Sequence, residues 1–196
     1  MTDAVSNDAV SNDAVSNDAV SPWVARWLPA APAGPMLDLA CGRGRHARLG
    51  AALQHPVLAV DRDPAALQDA AGSGIDTACV DLEQTGAPWP FGAGRFAAIV
   101  VTNYLHRPLF ADLAAALQVG GLLIYETFAL GNAAFGKPSN PAFLLAPGEL
   151  LALAHAHGLH VLAYEDGVVH RPRMARVQRL VAVAPGFDLS SMPLDL

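Results

Sequence analysis

Apolar residues along this chain fall into short dense runs, separated by segments with helical spacing and by glycine-rich turns. Met36 to Ala40 predicts a first strand, followed by a tight turn over Cys41 to Gly44. Arg45 to Gln54 has a helical pattern, and Pro56 to Val60 predicts a second strand ending at Asp61. Pro64 stands where a first helical turn accepts proline, and the pattern runs to Ala71. Ile75 to Val80 predicts a third strand, ending at Asp81, and Phe96 to Thr102 a strongly β-branched fourth. Leu109 to Leu117 is helical in pattern, with Gly120-Gly121 expected to stop it, and Leu122 to Thr127 predicts a fifth strand. Phe128 to Ala146 is rich in Gly, Pro and Asn and reads as an excursion over the sheet edge. A helix over Pro147 to His157 precedes two late strands, Leu159 to Tyr164 and Ala175 to Ala184. Alternation of this kind predicts an α/β fold with a Rossmann-like, doubly wound, mostly parallel seven-stranded sheet. The last two strands lack a helix-length connection, so the final strand is expected to be antiparallel.

The first residues behave differently. Asn7 to Ser11, Asn12 to Ser16 and Asn17 to Ser21 repeat NDAVS without change. A five-residue period matches neither the helical period of about 3.6 nor the strand period of about 2, so no face is consistently apolar. Residues 1–21 are therefore expected to form a disordered tail, 22–186 one domain and 187–196 a short second tail. Trp23 and Trp27, one helical turn apart, are expected to pack on the core, with a lid over a ligand pocket as the alternative.

Composition narrows the class. Of 196 residues, 53 % are hydrophobic and 15 % charged, which suits strands buried on both faces and excludes disorder for most of the chain. The net charge of −6 disfavours nucleic acid as a partner. Cys41 and Cys79 form neither a disulfide framework nor a zinc-site spacing. No apolar run approaches the roughly 20 residues of a membrane span, and the start lacks signal-peptide character, so the expectation is a cytoplasmic protein with no membrane contact. His155, His157 and His160 do not share a helix face and have no carboxylate cluster beside them, so no metal is expected.

In an open α/β sheet, ligands bind beyond the carboxyl ends of the strands. The first strand ends in Asp38-Leu-Ala-Cys-Gly42-Arg-Gly44, where Gly42 and Gly44 permit a tight turn and a close backbone approach. The Asp61 carboxylate can accept hydrogen bonds from both hydroxyls of a ribose, at a spacing from Gly42 that suits a nucleoside site. The dinucleotide pattern G-x-G-x-x-G fails, because Ala40 and Ala47 replace its first and last glycines. A nicotinamide oxidoreductase is disfavoured accordingly.

Over about residues 30–184 the chain resembles the class I S-adenosylmethionine-dependent methyltransferases. LDLACGRGRHA is similar to their first motif and VLAVDRDPAAL to their second. VDLEQ, FAAIVVTNYLHRPLF and GGLLIYETF are similar to the third to fifth. The run FGKPSNPAFLLAPGEL resembles a bacterial subgroup near the tellurite-resistance-type methyltransferases. The resemblance implies S-adenosylmethionine as cofactor. It implies that Asp38 and the backbone of Ala40, Cys41, Gly42 and Gly44 hold its methionine part, and that Asp61 takes the ribose. It places Arg62 against the adenine, Asp81 at the adenine amino group, the Leu82 amide at a ring nitrogen, and Asn103 near the methyl.

The expected activity is methyl transfer to a small-molecule acceptor. The alternatives are an RNA or protein methyltransferase and a non-catalytic S-adenosylmethionine-binding protein. Asn103, Tyr104 and His106 are the candidate catalytic residues, with His106 as a base, although the preferred expectation for His106 is that it caps or begins the next helix. Tyr125 and Glu126 should point to opposite faces of the sheet. Arg107, Arg171 and Arg173 are candidates for an anionic substrate group, with solvated surface arginines the preferred expectation. Acceptor specificity is expected in residues 103–110, 126–146 and 165–175, and no oligomeric state is specified.

Overall fold

The computed structural model describes residues 19–84 and 86–191. The repeat up to Asp18 and the last five residues lie outside the described residues, and the expectations of tails at both ends fall largely on them. Seven strands form one sheet: β1 (Met36–Leu39), β2 (Val57–Asp61), β3 (Ile75–Cys79), β4 (Phe96–Thr102), β5 (Leu117–Phe128), β6 (His160–Val169) and β7 (Ala175–Val183). Their order is β3-β2-β1-β4-β5-β7-β6. The first five strands in that order pair in parallel, and β7 runs antiparallel between β5 and β6. The chain leaves β1 toward β2 and β3, then returns to β4 on the other side, so a switch point opens between β1 and β4.

Period-two alternation splits the core between the two faces. Leu37, Leu39, Ile99, Val101, Leu123 and Tyr125 meet α4 (Phe110–Ala116) and α5 (Glu149–Ala156) on one face. Met36, Ala98, Val100, Leu122 and Ile124 meet α1 (Pro22–Trp27), α2 (Arg45–Ala52) and α3 (Pro64–Ala70) on the other. Trp23 and Trp27 are each 3 % exposed within this second cluster, as expected of core residues. Ser21 caps α1, accepting from the Trp23 amide, while Val20 and Phe187 pack against the same cluster.

The glycine pair corrects one sequence expectation. Helix α4 ends at Ala116 without it, and β5 already begins at Leu117. Gly120 and Gly121 sit inside β5, where the register with β4 shifts between Phe96 and Ala98. Gly120 has φ of +70°, and a Cβ on Gly121 would stand 2.8 Å from the Phe96 carbonyl oxygen. The glycines thus permit a bulge against β4 rather than ending a helix.

Candidate functional site

The turn after β1 is built on left-handed backbone. Ala40, Gly42 and Gly44 have φ of +52°, +54° and +75°. A Cβ on Gly44 would lie 2.6 Å from the Ala70 Cβ, so this glycine allows the start of α2 to close on the end of α3. A Cβ on Gly42 would meet nothing within 4 Å, so the space above that residue is open. The Gly42 amide donates to Asp61 Oδ2 at 2.7 Å, and the Asp63 amide donates to Asp61 Oδ1 at 3.0 Å. Each carboxylate oxygen keeps further accepting capacity.

Asp38, 1 % exposed, lies beneath this turn on β1. Burial raises its pKa to about 7, with Asp61 adding to the rise, while the Ala47 amide and the Arg45 and Arg48 charges oppose it. Its Oδ2 is buried without a hydrogen-bond partner. A buried, unpaired carboxylate oxygen beside an open cradle fits a cationic ligand group. Cys41 is buried in the same turn, and burial followed by the Asp38 and Asp61 charges pushes its thiol well up, so it is no nucleophile.

A cleft of about 260 Å³ opens along the carboxyl ends of the strands. Ala40, Asp61, Arg62, Asp81, Leu82, Asn103 and Tyr104, all singled out in the sequence, line it together. Asp81 also accepts from the Glu83 amide at 3.0 Å, which shapes the loop after β3. Asn103 holds φ of +56°, a conformation that asparagine tolerates, and its amide donates to the Glu126 carbonyl at 2.9 Å. Burial, then the Glu83 and Asp81 charges, raises the Tyr104 hydroxyl, so it is a proton donor at neutral pH and no base.

Other candidates lie elsewhere. His106 is not among the lining residues: it precedes a 3₁₀ turn over Arg107–Leu109, and its carbonyl accepts from the Leu109 amide at 3.1 Å. Arg107 donates to both carboxylate oxygens of Glu149 and to the carbonyls of Ala142 and Leu144. Arg173, also singled out in the sequence, donates to the Lys137 carbonyl at 3.1 Å, and of the arginines on β7 Arg176 pairs with Asp166 and Arg179 with Glu126 and Glu165. Tyr125 and Glu126 do face opposite ways: Tyr125 stacks on Phe110, while Glu126 meets Arg179 and Ser21. Among the described residues, no group of three or more His, Cys, Asp and Glu could hold a metal ion, and no helix is long and apolar enough to cross a membrane.

Glu83, Leu105, Thr127, Phe128, Pro138 and Phe143 complete the cleft and were not named individually from the sequence. Pro138 and Phe143 belong to the excursion after β5, whose composition signalled a loop but not which side chains turn inward. His46 was also missed. Its Nε2 accepts from the Ser21 amide at 3.1 Å, and burial, with Arg45 nearby, pushes its pKa down to about 3. It is a neutral structural acceptor that ties the start of α1 to α2.

The sequence matches no family model and no curated protein. Solved structures do match its fold. An S-adenosylmethionine-dependent methyltransferase from Mesorhizobium loti superposes with a TM-score of 0.66 at 18 % identity, covering 83 % of this chain and 96 % of that one. TehB from Haemophilus influenzae gives 0.63 at 19 % identity, over 83 % of this chain and 61 % of that one. The [4+2]-cyclase SpnF gives 0.64 at 16 % identity, over 83 % and 78 %. The chain therefore has the Rossmann-like fold of the class I S-adenosylmethionine-dependent methyltransferases.

Proposed function

We propose that this protein binds S-adenosylmethionine and transfers its methyl group to a small-molecule acceptor. One observation carries the reading: the open cradle over Gly42 is stapled to Asp61 and backed by the unpaired Oδ2 of buried Asp38. That arrangement offers a carboxylate to a diol and a second carboxylate to an ammonium, the two polar ends of this cofactor. The exposed Arg62 guanidinium suits the adenine face, and Asp81 with the Leu82 amide suits its edge. When bound, the cofactor supplies an electrophilic methyl on a sulfonium.

The chain's own task is then orientation and exclusion of water. Asn103 and Tyr104 stand midway along the cleft, where their amide and phenol can orient the acceptor's polar group. Leu105 and Phe128 close the apolar side. A nucleic-acid acceptor is disfavoured by three carboxylates in the wall, Asp61, Asp81 and Glu83, and by the pairing of Arg107, Arg176 and Arg179 with carboxylates. The test is incubation with cofactor labelled on the methyl and a fractionated cell extract. Label should enter small molecules. Label confined to RNA or protein contradicts the acceptor assignment.

A further inference from the structure

The two ends of the cleft differ in chemistry. The β2–β3 end carries Asp61, Arg62 and Asp81, whereas the β4–β5 end carries Leu105, Thr127, Phe128, Pro138 and Phe143. On the methyl-transfer reading, the first end takes the adenosine and the second the acceptor. Resting on that reading, we infer that the acceptor is an uncharged, flat, largely apolar molecule seated between Phe128, Pro138 and Phe143, and that Arg107 is the residue that positions Phe143.

The apolar wall is held from behind. Arg107 donates to the carbonyls of Ala142 at 2.8 Å and Leu144 at 3.0 Å, the two residues flanking Phe143. Its guanidinium is fixed by Glu149, at 2.9 Å from Nη2 to Oε2, and Glu149 also accepts from the Ala146 amide at 2.8 Å. Asn140 caps the turn Pro141–Phe143, accepting from the Ala142 amide at 3.0 Å. Pro138 is fixed through its carbonyl, which accepts from Asn132 Nδ2 at 2.9 Å, and Asn132 in turn accepts from the Arg176 amide at 3.0 Å. Phe128 packs on Leu144, Ala175 and Val177, with the Arg173 guanidinium 5.6 Å from its ring centroid. An irregular segment with this many anchors presents a preformed surface, which lowers the ordering cost of binding a rigid flat ligand.

Charge selects against anions. Arg62, the cation in the wall, lies at the adenosine end, and neither Arg107 nor Arg173 lines the cleft. An anionic acceptor would be desolvated beside Phe128 and Phe143 with no cation in the lining at that end, since Arg173 lies over the Phe128 ring outside the lining and donates to the Lys137 carbonyl, and it would lie near the carboxylates of Asp81 and Glu83. Tyr104, held protonated, and Asn103 remain as hydrogen-bonding groups for one polar substituent.

The probes are 2-naphthol and 2-naphthoate, matched in shape and differing in charge, titrated by calorimetry into protein saturated with S-adenosylhomocysteine. 2-Naphthol should bind about tenfold or more tightly than 2-naphthoate. Phe143→Ala, with Phe143→Leu as the milder form, should weaken 2-naphthol by about fivefold or more, while S-adenosylhomocysteine affinity is retained. Arg107→Ala should reproduce the Phe143→Ala loss for 2-naphthol without touching the adenosyl ligand. No naphthol binding to loaded protein overturns the inference, as does equal or tighter naphthoate binding or indifference to both variants. Failure of S-adenosylhomocysteine to bind strikes at the cofactor reading instead. The naphthol–naphthoate comparison on free protein then still decides the charge selection of the apolar end.

Discussion

The Gly42 amide donates to Asp61 Oδ2 at 2.7 Å, so the turn after β1 is tied to the end of β2, beside the switch point between β1 and β4. Removing the carboxylate removes both this staple and the diol acceptor. Asp61→Ala should weaken S-adenosylhomocysteine binding by about 1–3 kcal/mol and lower the melting temperature. Unchanged affinity by titration calorimetry would take Asp61 out of the ligand site.

Ala40 occupies left-handed backbone at φ +52°, where a Cβ is strained. Ala40→Gly should stabilise the fold by about 1 kcal/mol, less the larger chain entropy that glycine releases on unfolding. Ala40→Val should destabilise it, because a β-branched side chain fits that conformation worst. Thermal denaturation of the two variants checks the order glycine, alanine, valine.

Asp38 ties stability to pH. Burial raises its pKa from 3.8 to about 7 in the folded protein, so the fold holds a proton that the unfolded chain releases. Its favourable contribution is complete below about pH 4, declines as pH rises through the folded value, and is gone above about 7. Asp38→Asn should flatten that part of the stability profile in denaturant titrations across pH. A cationic group over Asp38 favours the ionised form, so S-adenosylmethionine affinity should rise toward pH 7 and then level. Proton release on binding, read from buffers of different ionisation enthalpy, should vanish in Asp38→Asn.

Glu126 anchors the chain before α1, accepting from Ser21 Oγ at 3.2 Å and meeting Arg179 Nε at 2.9 Å. Arg179 also stands 5.7 Å from the Trp23 ring. Glu126→Ala should cost about 2 kcal/mol, because Arg179 keeps Glu165 but loses its buried partner. The tryptophan emission should shift along with the stability loss. An unchanged denaturant midpoint would mean that α1 is held by Trp23 and Trp27 packing and by the His46 contact to Ser21, without help from Glu126.

Much of this was legible in the sequence because strand ends in a parallel α/β sheet share one edge. Asp61, Asp81 and Asn103 follow consecutive strand runs, so topology alone brings them to one cleft. The strand Phe96–Thr102 has the bounds its unbroken apolar run predicts. The Gly120-Gly121 pair misled because a glycine pair ends a helix and permits a bulge equally well. Only the distant Phe96 carbonyl distinguishes the two. His106 lies three residues beyond Asn103, but there it precedes the 3₁₀ turn Arg107–Leu109 and stands outside the lining of the cleft. Phe143 and Pro138 carry no periodic signal, since their inward placement depends on Arg107, Asn140 and Asn132 acting across the loop.

The central claim is tested most directly by calorimetric titration of the protein with S-adenosylmethionine, S-adenosylhomocysteine and NADH. Saturable one-to-one binding of both adenosyl ligands, with none of NADH, is the expected result. Binding of neither adenosyl compound would contradict the account and leave the open cradle over Gly42 without its ligand.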